Sequence, residues 1–450
     1  MISVTHLEQA MQELFGAKTD QLAKDLHVVQ RERAVTGSNL AQTVIFGWLA
    51  NPHATLDELS QLARASALSI TGSGLSQRFT QDAAQFFYVL LQQASQLCLR
   101  AEPVEGAVLR RFSAVIVEDS TTITLPDALV ETWRGCGGSG SASASAVKIH
   151  VRFDLLNGAI VGLRLSDARL SDNATPFREE ADEGGTLPVG CLYLADLGYF
   201  SLLWLQRVGQ RQGRQQKRMA LMRLKQGTAL LTRTKHRLIL QGLLPQQVGQ
   251  VVEMGVLLGV QAQLPVRLVM VRVPDEVVQQ RRERLQAEAA DHGTAVSQEQ
   301  WVLAQWTILL TTAPRRLLAL KDLYVLLRQR WQIELLFKLW KQHGEIDEWR
   351  SKNPWRMLCE FYGKLIAMFI QQWLVTSGCW HDPFRSLVKA AQVVRRCAFS
   401  LVLALKGQGT VAQVLATMYT MMAAGCRVNT RATRPSAAQL LSSGIDWTLT

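Results

Sequence analysis

The chain has 450 residues, of which 48% are hydrophobic, and it carries a formal net charge of +12 at pH 7. The apolar content excludes wholesale disorder, and the length exceeds what one compact core usually holds, so we expect about two or three domains. The charge is typical of proteins that bind a polyanion, either nucleic acid or an anionic membrane surface. A basic soluble protein without such a partner is an equally good interpretation of charge alone.

The cysteines and the apolar runs bear on the cell compartment and on the choice between nucleic acid and a membrane as the partner. The seven cysteines form no Cys-x-x-Cys pair, which argues against a zinc site and is typical of a reducing cytosol. The N-terminus, MISVTHLEQAMQELFG, has no long apolar stretch, so we expect no secretory signal. No apolar run reaches the roughly 18 residues of a membrane span. We therefore expect a cytoplasmic protein that binds nucleic acid and not a membrane.

The first part of the chain reads as helical. Residues 1–105 carry apolar side chains at a spacing of three to four, which predicts amphipathic helices. Thr55, with Glu58 three positions later, predicts a helix that begins with a capping box. This helix and the following SITGSGLSQRF could form a helix-turn-helix that contacts DNA, although an ordinary helical bundle is at least as good an interpretation.

Strand patterns begin near residue 112. A β-branched run, AVIVED, ends at Asp119, and a pair of alternating runs turns at Asn157-Gly158, the strongest short-range signal for a hairpin. The apolar run CLYLAD ends at Asp196, and a later strand, AQWTILLTT, precedes a long helix. Strands followed by helices predict a mixed α/β fold.

The order of these patterns predicts the domain organisation. Residues 241–300 contain a strand and a charged helix, and a core strand resumes after them, so we interpret this segment as an insertion. The sequence thus predicts a helical DNA-binding region over residues 1–105, a catalytic domain over 106–375 and a helical C-terminal region over 376–450.

One long stretch is exclusively basic. No Asp or Glu occurs from Leu197 to Val252, whereas a solvated protein face usually mixes both charge signs. A stretch of one sign favours contact with a phosphate backbone. The residues of this stretch that we expect to bind DNA are Arg214, Arg218, Arg223 and Lys225.

Three acids are candidates for catalysis. Asp119 and Asp196 end apolar strands, where an unpaired carboxylate is costly to desolvate unless a metal or a cation binds it. Glu334 lies on the helix that follows the last strand. Together the three could hold hard divalent cations such as Mg²⁺, and two such ions clamp the attacking and leaving oxygens of a phosphoryl transfer. Taken singly, each acid is better explained as a cap or turn residue.

The helix LRQRWQIELLFKLWKQ mixes this acid with bases. With Glu334 as reference, Arg330 lies at i−4, Lys338 at i+4 and Lys341 at i+7, so all four side chains share one face. Ion pairs at this spacing would stabilise any helix by a few tenths of a kcal/mol. The alternative is a metal-binding carboxylate flanked by bases that bind phosphates.

The same stretch resembles the signature of the DDE-type insertion-sequence transposases, a bacterial family marked by Tyr-x2-Arg-x3-Glu-x6-Lys. Arg330, Glu334 and Lys341 fit the spacing. VEDSTTITLP is similar to the strand that carries the first aspartate of the family, and ADLGYF to the second. The resemblance covers roughly residues 105 to 375.

One position departs from the family pattern. The family tyrosine falls at Leu327, whose side chain has no hydroxyl to donate to a phosphate, although Tyr324 lies nearby. The phosphate contacts of this chain are therefore expected to differ from those of the family at that point.

The resemblance implies a ribonuclease-H-like core with a β-rich insertion. It implies that Asp119, Asp196 and Glu334 bind two Mg²⁺ or Mn²⁺ ions and catalyse two steps. Water first nicks one strand at the end of the transposable element, and the freed 3′-hydroxyl then attacks target DNA. Whether a hairpin forms between these steps stays open.

The resemblance also implies the DNA contacts. Arg330 and Lys341 would bind phosphates near the cleaved end, and Lys338 is a further candidate. Trp306 and Trp331 match family positions whose rings stack on a flipped base, although Trp306 could also be an ordinary core tryptophan. The implied partner is double-stranded DNA of the element ends and of the target. Two ends must meet, which implies a homodimer on DNA.

Two other functions stay open. A protein derived from a transposase could bind DNA without cutting it, but such proteins tend to lose one of the acids, and all three are present here. A metal-dependent nuclease without strand transfer shares the first chemical step, so the sequence does not separate it from a transposase.

Overall fold

The computed structural model describes residues 4–30, 35–104, 107–136, 143–178, 187–209, 218–291, 293–382 and 384–428. Within them the helices are α1 (Val4–Leu14), α2 (Ala17–Asp25), α3 (Gly37–Ala50), α4 (Leu56–Ala65), α5 (Gly72–Ser76), α6 (Gln81–Gln96), α7 (Leu202–Gly209), α8 (Asp275–Asp291), α9 (Gln298–Leu303), α10 (Leu320–Gln329), α11 (Trp331–Gln342), α12 (Pro354–Cys379), α13 (Leu387–Leu405) and α14 (Val411–Gly425). The strands are β1 (Val115–Leu125), β2 (Ser145–Asp154), β3 (Ala159–Asp167), β4 (Leu192–Ala195), β5 (Met219–Arg223), β6 (Leu230–Leu231), β7 (Arg237–Leu238), β8 (Val251–Leu258), β9 (Leu264–Arg272) and β10 (Trp306–Thr311). The mixed α/β class predicted from the sequence is confirmed.

The described residues group into two compact units. Unit 1 takes them from Met1–Glu105, Ser120–Leu170 and Trp331–Thr433, and unit 2 from Gly106–Asp119 and Ser171–Arg330. Each unit therefore combines segments that are distant in the sequence. The predicted division into three consecutive regions, with an insertion at 241–300, stays a prediction.

Helix α12 forms the centre of unit 1. All its residues from Met357 to Cys379 are buried, and it packs against α3, α6 and α13. Gly363 permits the close approach to α3, because a Cβ at this position would lie 2.6 Å from Cζ3 of Trp48. Nearby, Thr55 and Glu58 form the predicted capping box at the start of α4, so that prediction is confirmed.

A β-hairpin of unit 1 lies where the sequence predicts one. Strands β2 and β3 pair in antiparallel fashion from Val147 opposite Asp167 to Asp154 opposite Ala159. Gly158 in the turn has a φ of +67°, and a Cβ there would lie 2.4 Å from the Trp380 ring. Both the backbone conformation and the lack of space therefore require glycine.

Unit 2 is built on a mixed sheet with the strand order β1-β4-β5-β10-β9-β8-β6-β7. Strand β1 pairs with β4, and β4 with β5, in parallel, whereas β10 pairs with β5 and with β9 in antiparallel fashion. Helices α7 and α10 pack against β5. The parallel strands bring the two aspartate-bearing segments next to each other.

Two local predictions are wrong. Strand β1 does not end at Asp119 but continues to Leu125, because the β-branched residues of STTITL favour extended backbone. The helix expected over residues 327–342 is divided: α10 ends at Gln329, and the amide of Arg330 donates to the carbonyl of Leu327 at 3.2 Å. Within the described residues, no helix combines the length and the apolar character that crossing a membrane requires.

Candidate active site

One carboxylate of unit 2 lies within β1, and a second directly follows β4, the parallel neighbour of β1. The register of β1 and β4 aligns Glu118 with Ala195. The next residues along the chain are Asp119 and Asp196, so the two acids lie at the same level of strands that are about 4.8 Å apart. Asp196 is exposed and precedes the turn Leu197–Tyr199. Paired carboxylates of this kind are ligands that hard divalent cations bind.

Arg330 contacts the first of these carboxylates. Its Nη1 donates to Oδ2 of Asp119 at 3.0 Å, and the two side chains are only 19% and 18% exposed. Partial burial reduces screening by solvent, so this ion pair is held more firmly than an exposed one. The arginine that the sequence assigned to phosphate binding thus also neutralises a candidate metal ligand.

Helix α11 of unit 1 carries the other signature residues. Glu334 is half-buried in its first turn, and Lys338 is exposed. Nζ of Lys341 donates to the carbonyl of Thr122 at 3.0 Å. The indole of Trp331 is 55% exposed, which suits a ring that stacks on a base. The predicted metal-binding role of Glu334 stays a prediction.

Trp306 and Trp340 are buried. Trp306 is 9% exposed, its Nε1 donates to the carbonyl of Pro245 at 2.6 Å, and the Arg272 guanidinium lies 5.6 Å from its ring centroid. In this conformation the ring is packed, and base stacking by Trp306 stays a prediction. Trp340 is fully buried, as a packing residue should be.

A basic cavity of about 880 Å³ opens in unit 2 and includes Trp306 in its wall. The basic residues that line it are Arg223, Lys225, Arg237, Arg281 and Arg284. Glu299 is the acid of the described lining, and its carboxylate accepts a hydrogen bond from Gln226 at 2.7 Å. The excess of positive charge makes this cavity a candidate nucleic-acid interface.

Arg281 is fixed within the wall of this cavity. It donates to the carbonyls of Ala304 and Trp306 at 3.2 and 3.0 Å, and to Oγ1 of Thr307 at 2.8 Å. Burial, and then the neighbouring positive charge of Arg223, lower the pKa of the Arg281 guanidinium. Arg281 therefore holds the strand of Trp306 from the side of the cavity.

The sequence analysis predicted some of the basic residues that line this cavity. It singled out Arg223 and Lys225, but not Arg281 and Arg284, because α8 mixes both charge signs and reads as an ordinary solvated helix. Only the fold shows which side of α8 lines the cavity.

Arg218, a further predicted DNA-binding residue, does not line the cavity. Nε of Arg218 donates to the carbonyl of Leu187 at 2.6 Å, so its guanidinium is at least partly used within the protein. Arg214 lies outside the described residues, and its role in DNA binding stays a prediction.

A different group of possible metal ligands occurs in unit 1. His53, Glu345 and Glu348 each offer one atom, and these atoms lie within 4.8 Å of one another. Nε2 of His53 is 2.6 Å from Oε2 of Glu345. The sequence did not indicate this group, because the histidine is far from the glutamates along the chain.

The chain belongs to the family described as "Transposase DDE domain", whose model matches residues 110–370. This range contains the three acids that the sequence singled out. The resemblance to DDE-type insertion-sequence transposases is thereby confirmed, and the chain is a transposase by family.

Individual relatives are transposases of bacterial insertion sequences. The transposase for insertion sequence element IS231B of Bacillus thuringiensis subsp. berliner is 28% identical over 386 residues, which cover 81% of this chain and 78% of that protein. The transposase for IS231D of Bacillus thuringiensis subsp. finitimus is 28% identical, with coverages of 81% and 78%. The transposase for IS1151 of Clostridium perfringens is 22% identical, with coverages of 82% and 80%.

Proposed function

We propose that this transposase binds the ends of an insertion sequence, cleaves the DNA there and joins the freed 3′-hydroxyl ends to target DNA. The observation that carries the proposal is that Asp119 and Asp196 each follow the register pair of Glu118 and Ala195 on parallel strands, and that Arg330 donates to Asp119. An acid within one strand and an acid directly after its parallel neighbour, with a base beside the first, suit metal-dependent phosphoryl transfer.

We propose further that the catalytic core is ribonuclease-H-like. The parallel trio β1, β4 and β5 supports this proposal, as does the antiparallel hairpin of β2 and β3 that follows β1 along the chain. Strands β8 and β9 and helix α8 lie between β5 and β10 along the chain, where the β-rich insertion is expected.

The donor atoms fit a divalent cation. Carboxylate oxygens are the ligands that Mg²⁺ and Mn²⁺ prefer, and the ion pair of Asp119 with Arg330 supports a charged carboxylate at this position. In this proposal Asp119, Asp196 and Glu334 hold two ions. When bound, these ions would neutralise charge at the phosphate and activate the attacking oxygen.

Basic side chains would hold the DNA. Lys338 and Lys341 on α11, and Arg330 at the end of α10, would contact phosphates near the cleaved end. Arg223 and Lys225, which line the basic cavity of unit 2, would bind the phosphate backbone. Such contacts position the protein on the duplex but do not recognise the base sequence. The exposed ring of Trp331 would stack on a flipped base.

The joining of two element ends implies an oligomeric state. Two element ends must be held together for joining, so we propose a homodimer on double-stranded DNA in the bacterial cytoplasm, associated with the nucleoid. The flanking DNA of its gene should then carry terminal inverted repeats.

Cleavage of DNA that contains these repeats tests the proposal. With Mg²⁺, the wild-type chain should release the end and then join it to a second plasmid, whereas Glu334→Gln should do neither while still binding the repeats. Asp291→Asn, which changes an exposed acid of α8, is the control and should behave as wild type. Cleavage without joining would indicate a nuclease, and binding without cleavage would indicate a DNA-binding protein; either result rejects the proposal.

The basic cavity gives a second prediction. Replacing both Arg223 and Lys225 with Gln should weaken binding of any duplex and reduce the slope of log K against log [salt] by about 2, since each lost phosphate contact lowers it by about 0.9. The measurement is fluorescence anisotropy at several salt concentrations. Arg315→Gln, which removes an exposed charge of unit 2 outside the cavity lining, should leave the slope nearly unchanged; equal slopes for all variants would exclude the cavity from DNA binding.

A further inference from the structure

Helix α10 carries an ion pair to the β1 segment at each of its ends. At its C-terminal end Arg330 donates to Asp119, as described above. At its N-terminal end Asp322 accepts from Nη1 of Arg111 at 2.8 Å. Arg111 precedes β1 and Asp119 lies within it, so the two contacts run in the same order along both segments. All four residues belong to unit 2.

The acid of the N-terminal pair, Asp322, is less exposed to solvent than Asp119, the acid of the C-terminal pair. The side chain of Asp322 is 7% exposed and that of Arg111 is 33% exposed. Nη1 of Arg111 also donates to the carbonyl of Leu317, at 3.3 Å, in the loop that leads into the helix. Removing Arg111 would leave the buried carboxylate of Asp322 without its ion-pair partner, so the pair contributes to holding this end of the helix.

Within the part of the chain that the structure describes, no side chain caps this end of the helix. The residue before the first turn is Ala319, which has no side chain to cap the free amides. Asp322 in the first turn favours the positive end of the helix dipole, but this effect is not directional enough to set the helix against a strand. The carbonyl of Leu318 accepts from Arg267 at 2.8 Å, which holds the preceding loop.

We propose that Arg111 and Asp322 are positioning residues for the reaction: they fix the start of α10 so that its end delivers the Arg330 guanidinium to Asp119. The proposal rests on the function proposed above for Asp119 and Arg330. Eight residues of α-helix span about 12 Å, so a tilt of only about 5° at Asp322 displaces Arg330 by about 1 Å. A misplacement of about 1 Å can lower a catalytic rate by as much as a hundredfold.

A double-mutant cycle on Mn²⁺ binding separates positioning from general stability. Affinity is measured by calorimetry on the full chain without DNA, for wild type, Arg111→Met, Arg330→Gln and the double variant. Arg330→Gln removes the cation that competes at Asp119 and should tighten Mn²⁺ binding by about tenfold, and Arg111→Met should tighten it by about threefold. In the Arg330→Gln background, Arg111→Met should add no more than about a factor of 1.5.

Cleavage supplies the second measurement. Arg111→Met should lower the single-turnover cleavage rate by about tenfold and change the Kd for end DNA by less than about twofold, because it disturbs the reacting groups and not the DNA surface. Asp322→Asn, which keeps the shape of the side chain, should give the same result and replaces Arg111→Met if that variant fails to fold. Asp382→Asn is the matched control, since it breaks an Arg–Asp pair in unit 1 whose Nε–Oδ2 distance is 3.0 Å.

The outcomes are distinct. If Arg111→Met changes Mn²⁺ affinity equally with and without Arg330, or does not change it at all, Arg111 does not act through Arg330 and the proposal is overturned. If the wild-type chain does not cleave, or if Asp119→Asn cleaves normally, the proposed function itself fails. Wild-type cleavage rates in Arg111→Met and Asp322→Asn, with an inactive Asp119→Asn, would reject the positioning role alone.

Discussion

Asp119→Asn is expected to lower the rate of end cleavage by about a thousandfold or more, because a metal-dependent site supplies several kcal/mol of charge stabilisation that one lost ligand removes. The substitution keeps the size of the side chain and retains an oxygen that can accept from Arg330. Loss of activity would therefore reflect the lost charge and not a lost contact. The measurement is single-turnover cleavage of labelled end DNA with saturating Mg²⁺.

Two comparisons make this result specific. Asp196→Asn should give a similar loss although it leaves the pair between Asp119 and Arg330 intact. Both variants should bind end DNA at least as tightly as wild type, because each removes a negative charge close to where phosphate is expected. Cleavage within about tenfold of wild type by either variant would remove that aspartate from the catalytic assignment.

Lys364→Met is expected to reduce the free energy of unfolding by about 3–5 kcal/mol, since it leaves a buried carboxylate without its partner. Nζ of Lys364 lies 3.0 Å from Oε1 of Glu360, and the two side chains are 1% and 3% exposed. The same Nζ donates to the carbonyls of Glu345 and Glu348 at 3.1 and 2.7 Å. Lys364 thus holds the loop after α11 on α12. Chemical denaturation measures the decrease in the free energy of unfolding.

A matched exposed pair provides the control. Lys18 lies 3.5 Å from Glu13, with side chains 78% and 54% exposed, and Lys18→Met should cost no more than about 1 kcal/mol. Adding Glu360→Met to Lys364→Met should recover part of the lost stability, because no buried charge then remains. Equal small losses from Lys364→Met and Lys18→Met would show that the buried pair does not stabilise the fold.

Patterns of short range account for the predictions that are confirmed. The hairpin at Asn157-Gly158 and the capping box of Thr55 and Glu58 each depend on a few neighbouring residues, so the sequence displays them directly. The same holds for Asp196, which follows its short strand as predicted. Asp119 was assigned to the end of its strand because the apolar run AVIVED stops there, but the β-branched residues that follow extend β1 to Leu125.

Features that depend on contacts between residues distant in the sequence could not be predicted from the sequence. Arg281 and Arg284 line the basic cavity only because α8 folds against the strand of Trp306, and no local pattern distinguishes them from solvated arginines. The break between α10 and α11 at Arg330 was also missed, since no glycine or proline occurs between Leu320 and Gln342.

The sequence by itself determined the family and the spacing of the signature arginine and lysine, and it predicted the three acids, because each is a property of a short segment or of the order of segments. Only the tertiary structure decided which of these residues meet. Arg330 reaches Asp119, and Arg111 reaches Asp322, in each case across 211 positions of the chain. Such contacts depend on strand register and on how a helix packs, which are cooperative properties of the whole fold and leave no local pattern in the sequence.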